Sequence, residues 1–91
     1  MSHIHIKRPH QLDKPALREH VEQLAAKLAQ DYDYDYHWEG DKLKFKRSGA
    51  QGHIALADDH IVVDIKLGLL LSAVRGQVES TLNSYLDKYL A

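Results

Sequence analysis

Tyr34-Asp35-Tyr36-His37-Trp38-Glu39-Gly40-Asp41-Lys42-Leu43-Lys44-Phe45-Lys46 decides the fold. On either side of Gly40-Asp41 the side chains alternate. Tyr34, Tyr36 and Trp38 share one face and Asp35, His37 and Glu39 the other; Leu43 and Phe45 then alternate with Lys42, Lys44 and Lys46. A period of two is that of a half-buried strand. Gly-Asp between two such runs supplies a tight turn, so the segment predicts a hairpin. Its outer faces set acids opposite lysines, a pairing of about 0.2–1 kcal/mol per contact that favours this register.

Downstream, Ser48-Gly49-Ala50-Gln51-Gly52 turns the chain, and Ile54 and Leu56 begin a shorter alternation. Asp58-Asp59 turns it again before Ile61, Val63, Ile65 and Leu67, with Val62, Asp64 and Lys66 outside. Upstream, Ile4 and Ile6 alternate with His3, His5 and Lys7, a short strand that Arg8-Pro9-His10 ends because proline cannot donate to a ladder. Asp13 stands where a helix N-cap belongs, with Pro15 in the first turn. Leu17, Val21, Leu24, Ala25 and Leu28 then form one apolar stripe, leaving Arg18, Glu19, Glu22, Gln23 and Lys27 to water. This helix should end near residues 30–32.

The last quarter also has helical spacing, through Leu71, Val74, Val78, Leu82, Tyr85 and Tyr89. Gly76 costs a helix about 1 kcal/mol relative to alanine. Two starts are therefore open: a short turn over 69–75 with the main helix from Gln77, or one helix from Gly68. The order β-α-β-β-β-β-α, with tight turns between consecutive strands, predicts a single α+β domain over residues 1–91. It has one antiparallel five-stranded sheet and two helices packed on one face. If the first strand docks beside the last, the spatial order is 1-5-4-3-2, a reduced helix-grip layout analogous to START-like proteins.

Ninety-one residues allow one domain with a thin core. Apolar residues at 44% and charged ones at 27% describe a chain that folds. A formal charge of -1, with no run of five like charges, offers nothing global to attract nucleic acid, which is excluded as a partner. The absence of cysteine removes disulfides, thiol nucleophiles and Cys-containing zinc sites, and for so small a chain it points to the cytoplasm. The N-terminus lacks the apolar stretch of a signal peptide. The longest mostly apolar stretch, 61–74, is interrupted by Asp64, Lys66, Gly68 and Ser72, so no membrane span is expected.

Seven histidines raise the question of a metal. His3, His5, His37 and His53 should share the outer sheet face, but they fall on several strands of a wet surface without compact spacing. Solvated histidines are the better reading, and no metal or other cofactor is expected. Asp35, Glu39, Asp58, Asp59 and Asp64 all fall on outer faces or in turns, where nothing desolvates them for acid–base work. No nucleophile elbow or phosphate loop occurs, so no catalytic residue is assigned. Lys42, Lys44, Lys46 and Arg47 form a basic stripe near aromatics, but the lysines and aromatics alternate to opposite faces, whereas nucleic-acid stacking needs both on one.

Two candidate sites remain. One helix stripe cannot bury all of Leu69, Leu70 and Leu71, so one or two should stay exposed next to Arg75, for apolar contact or self-association as a homodimer; the bland alternative is that they fill the end of the core. The second is an internal cavity for an acyl-like ligand, touching Tyr36, Trp38, Phe45 and Tyr85, which requires about 300 Å³ or more.

Several segments carry a family likeness. Arg8-Pro9-His10 after an Ile-x-Ile strand, Trp38-Glu39-Gly40-Asp41, Phe45-Lys46-Arg47-Ser48-Gly49, Gly52-His53-Ile54 and Leu67-Gly68-Leu69-Leu70-Leu71 with Arg75-Gly76 and Val78-Glu79 resemble the polyhydroxyalkanoic acid system family nearly end to end. That family consists of small bacterial proteins associated with polyhydroxyalkanoate synthesis and use. The resemblance implies a non-enzymatic accessory role in the cytoplasm, with the polyester granule surface or granule proteins as partners, and it carries over no catalytic residue.

Overall fold

The computed structural model describes residues 2–90, as β1 (Ser2–Pro9), α1 (Lys14–Tyr32), β2 (Asp35–Glu39), β3 (Lys42–Arg47), β4 (Ala50–Leu56), β5 (His60–Leu67), α2 (Leu69–Ser72) and α3 (Arg75–Leu90). The strands form one antiparallel sheet in the order β1-β5-β4-β3-β2, as the alternation and turns predict. The hairpin register sets Tyr36 opposite Phe45, His37 opposite Lys44 and Trp38 opposite Leu43. Gly40 (φ 62°) and Gly49 (φ 86°) occupy the left-handed region that their turns require. The acids do meet lysines, though diagonally as well as directly across: Glu39 lies opposite Lys42, yet its carboxylate reaches Lys44 Nζ at 3.4 Å and His37 Nε2 at 2.8 Å.

Asp13 caps α1 from an extended conformation, its Oδ1 accepting from the Ala16 amide at 3.4 Å. At the other end Asp33 adopts φ 54°, and its N–H donates to the Ala29 carbonyl at 2.8 Å. This left-handed stop, which aspartate tolerates better than most residues, turns the chain straight into β2. The apolar stripe of α1 is buried as expected, against Ile4, Ile6, Leu43, Ile54, Leu56, Ile61, Val63, Ile65 and Leu67 of the sheet.

Two features depart from expectation, and one choice left open is settled. β1 continues through Pro9, whose Cα pairs with His60 at the strand end, where a missing donor costs little. Of the two starts left open for the C-terminal segment, the structure takes the short turn followed by the main helix: α2 is a single turn, and α3 starts at Arg75, two residues before Gln77, so Gly76 lies within its first turn and the break falls at Ala73-Val74. The buried stripe of α3 is Val78, Leu82 and Leu86, not Tyr85. From Leu82 a helical repeat permits either a three- or a four-residue step. Leu86, 2% exposed, takes the core position. Tyr85 sits on the seam with α1, where its hydroxyl donates to the His20 carbonyl at 3.1 Å, and Tyr89 stacks at 4.7 Å from the His20 ring.

Among the described residues His10 is the buried polar one, at 5% exposure. Its Nδ1 accepts from the Leu12 amide at 3.1 Å, so Nε2 carries the proton and donates to the Ala57 carbonyl at 2.8 Å. With its own N–H donating to the Asp59 carbonyl at 3.0 Å, His10 fastens the β1–α1 connection to the β4–β5 turn.

Candidate functional site

The leucine segment is placed by backbone contacts. The Gly68 N–H donates to the Gly49 carbonyl at 2.7 Å, tying the end of β5 to the β3–β4 turn. The approach is close because neither residue has a side chain: a Cβ on Gly68 would stand 3.2 Å from that same oxygen. The Ser72 amide and hydroxyl each donate to the Gly68 carbonyl at 2.9 Å, closing the turn that is α2. One turn cannot bury three consecutive side chains. Leu71 faces inward and packs on the core, while Leu69 and Leu70 are 81% and 92% exposed. Arg75 lies just beyond, its Nε donating to the His3 carbonyl at 3.3 Å and its Nη1 3.6 Å from Glu79, so α3 begins anchored to the β1 edge.

Beneath α2 lies a small apolar cavity of about 60 Å³, lined by side chains that include Leu28, Tyr34, Phe45, Ala50, Leu71 and Val74. Of the four residues expected around a ligand, Phe45 lines it; Tyr36, Trp38 and Tyr85 do not. Trp38 instead lies under the Arg18 guanidinium, 3.9 Å from the ring centre, and Arg18 donates to the Gly40 carbonyl at 2.9 Å. The volume falls far below the roughly 300 Å³ that a drug-sized ligand occupies.

One charged side chain joins the lining. Arg47 donates from Nη1 to the Tyr32 carbonyl at the end of α1, and its Nε is buried with no hydrogen-bond partner among the described residues. Tyr34 also lines the cavity; its hydroxyl donates to the Ala25 carbonyl at 2.7 Å, and burial pushes its phenol well above the usual range.

The outer sheet face is polar, as the alternation predicts. Across it run His5, Asp64, His53, Lys44 and His37 in register. Asp64 contacts His3, and its Oδ2 lies 3.5 Å from His5 Nδ1. Hydrogen bonding to His3 is the main cause holding the Asp64 carboxyl below its ordinary range. His37 and then Lys44 do the same for Glu39, Lys14 for Asp41, and His60 for Asp59. A general acid at neutral pH needs the opposite displacement. Among the described residues no group of three or more His, Asp or Glu side chains is placed to hold a metal ion, and no helix is long and apolar enough to cross a membrane.

The expectation that one or two of the three leucines stay exposed is met by Leu69 and Leu70, whereas Arg47 was not expected near the cavity, because its place in the lysine stripe suggested solvent. Its parity was the available signal: Arg47 shares the inward face of Leu43 and Phe45. No curated protein and no solved structure matches the chain. One family, described as "putative polyhydroxyalkanoic acid system protein", matches residues 4–90, nearly the whole length, and the chain belongs to that family.

Proposed function

We propose that this protein is a non-enzymatic accessory factor of polyhydroxyalkanoate storage, working in the cytoplasm at the surface of the polyester granule, which it contacts through Leu69 and Leu70. The observation that carries this is the exposure of two adjacent leucines on a turn held out by backbone hydrogen bonds, in a chain of this family. Burying each leucine contributes about 1.5–3 kcal/mol, enough for reversible adsorption to an apolar surface or to a granule protein. A homodimer sealed by this patch alone is less well supported, since stable interfaces bury about 800 Å² per partner and two side chains supply a fraction of that.

Fractionation of polyester-accumulating cells tests it. The wild type should sediment with granules, and Leu69→Asp with Leu70→Asp should move it to the soluble fraction without changing its melting temperature, because neither side chain is packed. A wild-type protein found wholly in the soluble pool, or a double variant still on granules, would end the proposal.

A further inference from the structure

We infer that the tip formed by α2 and the β3–β4 turn is an interfacial anchor for an anionic lipid layer, with Leu69 and Leu70 entering the acyl boundary and Lys46, Lys66 and Arg75 held at the level of the headgroups. Charge is laid out along the chain in a way that the total of -1 conceals. Residues 42–57 and 65–78 contain no Asp or Glu, yet they hold Lys42, Lys44, Lys46, Arg47, Lys66 and Arg75, half of the 12 Lys and Arg residues. All 13 acids lie elsewhere, with the remaining cations. The fold then joins the two acid-free segments, through the Gly68 N–H bonded to the Gly49 carbonyl at 2.7 Å.

One end of the sheet presents both kinds of group. Leu71 packs on the core, so Leu69, about 200° round the helical turn from it, points away, and Leu70 is 92% exposed. Lys66 and Lys46 flank Gln51 on adjacent strands, which sets their Cα atoms roughly 10 Å apart. Both are exposed, and among the described residues neither forms an ion pair, whereas Lys44 is taken by Glu39 and Arg47 by the Tyr32 carbonyl. The acids that come near are engaged or lateral: Asp64 bonds His3, Glu79 lies 3.6 Å from Arg75, and Asp35 stands opposite Lys46 on the β2 edge. An uncharged surface would take the leucines and gain nothing from the lysines. A layer of anionic headgroups over acyl chains takes both, and the two weak signals together hold a protein that neither holds alone. That the layer belongs to the granule rests on the function proposed above; lipid binding by the tip does not.

Co-sedimentation of the full chain with sucrose-loaded vesicles at pH 7 tests the anchor. Vesicles of equal parts phosphatidylglycerol and phosphatidylcholine should bind it at least tenfold more tightly than pure phosphatidylcholine, and raising NaCl from about 0.1 M to about 0.5 M should erase most of that difference. Lys46→Gln with Lys66→Gln should weaken binding about 30-fold, at about 1 kcal/mol for each lysine near an anionic surface. Lys27→Gln with Lys88→Gln removes the same charge from the helices and should change binding less than about twofold, since the effect falls off within a Debye length. Leu69→Ser with Leu70→Ser should weaken it at least tenfold while keeping the wild-type melting temperature. Equal binding to the two kinds of vesicle, a Lys46/Lys66 variant that binds like wild type, or binding that survives loss of both leucines would each overturn the inference. So would a wild type that sediments with granules and ignores the vesicles, which would leave the granule role standing and make the partner an acidic protein. Vesicle binding without granule sedimentation would end the granule role and uphold the anchor.

Discussion

Gly52 and Gly76 have the same side chain and opposite consequences. Gly52 lies on the inner face of β4 between Phe45 and Ile65, and a Cβ placed there would run into the Asp64 carbonyl oxygen and stand 3.0 Å from the Phe45 ring. The conflict is with backbone, which cannot step aside without bending the sheet. Gly52→Ala should destabilise by about 1–3 kcal/mol, the usual cost of overpacking. A Cβ on Gly76 would meet nothing within 4 Å, and the residue sits in a helical turn. Gly76→Ala should therefore stabilise by about 0.5 kcal/mol through reduced freedom of the unfolded chain. Urea titration of both variants reads the difference directly, and a destabilised Gly76→Ala would mean that the α2–α3 junction needs glycine for a reason other than space.

At the scale of elements, the strands and α1 were legible because their signals are redundant: period, turn residues and caps agree at Asp13, Gly40 and Gly49. The C-terminal segment was not, because its sequence is consistent with several helices. Leu69 to Ser72 supplies one turn whose position is fixed by the Gly49–Gly68 contact, which joins residues far apart in the chain and leaves no local trace. Tyr85 and Leu86 compete for the stripe, and only the neighbouring α1 decides between them. Leu86→Ala should accordingly cost about 2–5 kcal/mol, as for a buried leucine. Tyr85→Phe, which removes the bond to the His20 carbonyl, should cost about 1 kcal/mol. Equal losses in thermal unfolding would reverse the assignment of the core position. The cavity shows the same limit: its aromatic wall was partly foreseen through Phe45, whereas Trp38 and Tyr85 are claimed by Arg18 and by α1, contacts that periodicity does not encode.

The junction of β1 with β5 carries a pH dependence. Asp64 on β5 is bonded to His3 and lies near His5, both on β1, and its carboxyl is held below the ordinary value chiefly by the His3 bond. A carboxyl whose folded pKa is depressed contributes stability that is present above its unfolded pKa, near 4, and lost as pH falls through the lower folded value. Wild type should thus be more stable than Asp64→Asn at pH 5–7, with the gap closing below about pH 4 as Asp64 protonates. Urea midpoints at half-unit steps from pH 7 to pH 2.5 check this. A gap that persists at the acid end would assign the loss to packing of the amide rather than to charge. Because the pair is exposed, the effect should also shrink in high salt.

Stability cannot be uniform over the whole molecule, and the way the chain closes says where it is lowest. β1, first in sequence, returns to pair with β5 along eight residues from Ser2 to Pro9, and β5 is hydrogen-bonded on both sides while its inward residues Ile61, Val63, Ile65 and Leu67 lie under the helices. Opening β5 means dismantling the sheet, so its amides should exchange with solvent only through global unfolding. α2 buries none of its residues, spans one turn and lies over unfilled space. Its amides should exchange by local opening, orders of magnitude faster than those of β5, with Gly68 intermediate because its N–H is bonded to Gly49. Native-state hydrogen exchange at low denaturant resolves these classes residue by residue. Protection of α2 equal to that of β5 would mean that the Gly49–Gly68 bond and the inward packing of Leu71 lock the turn in place.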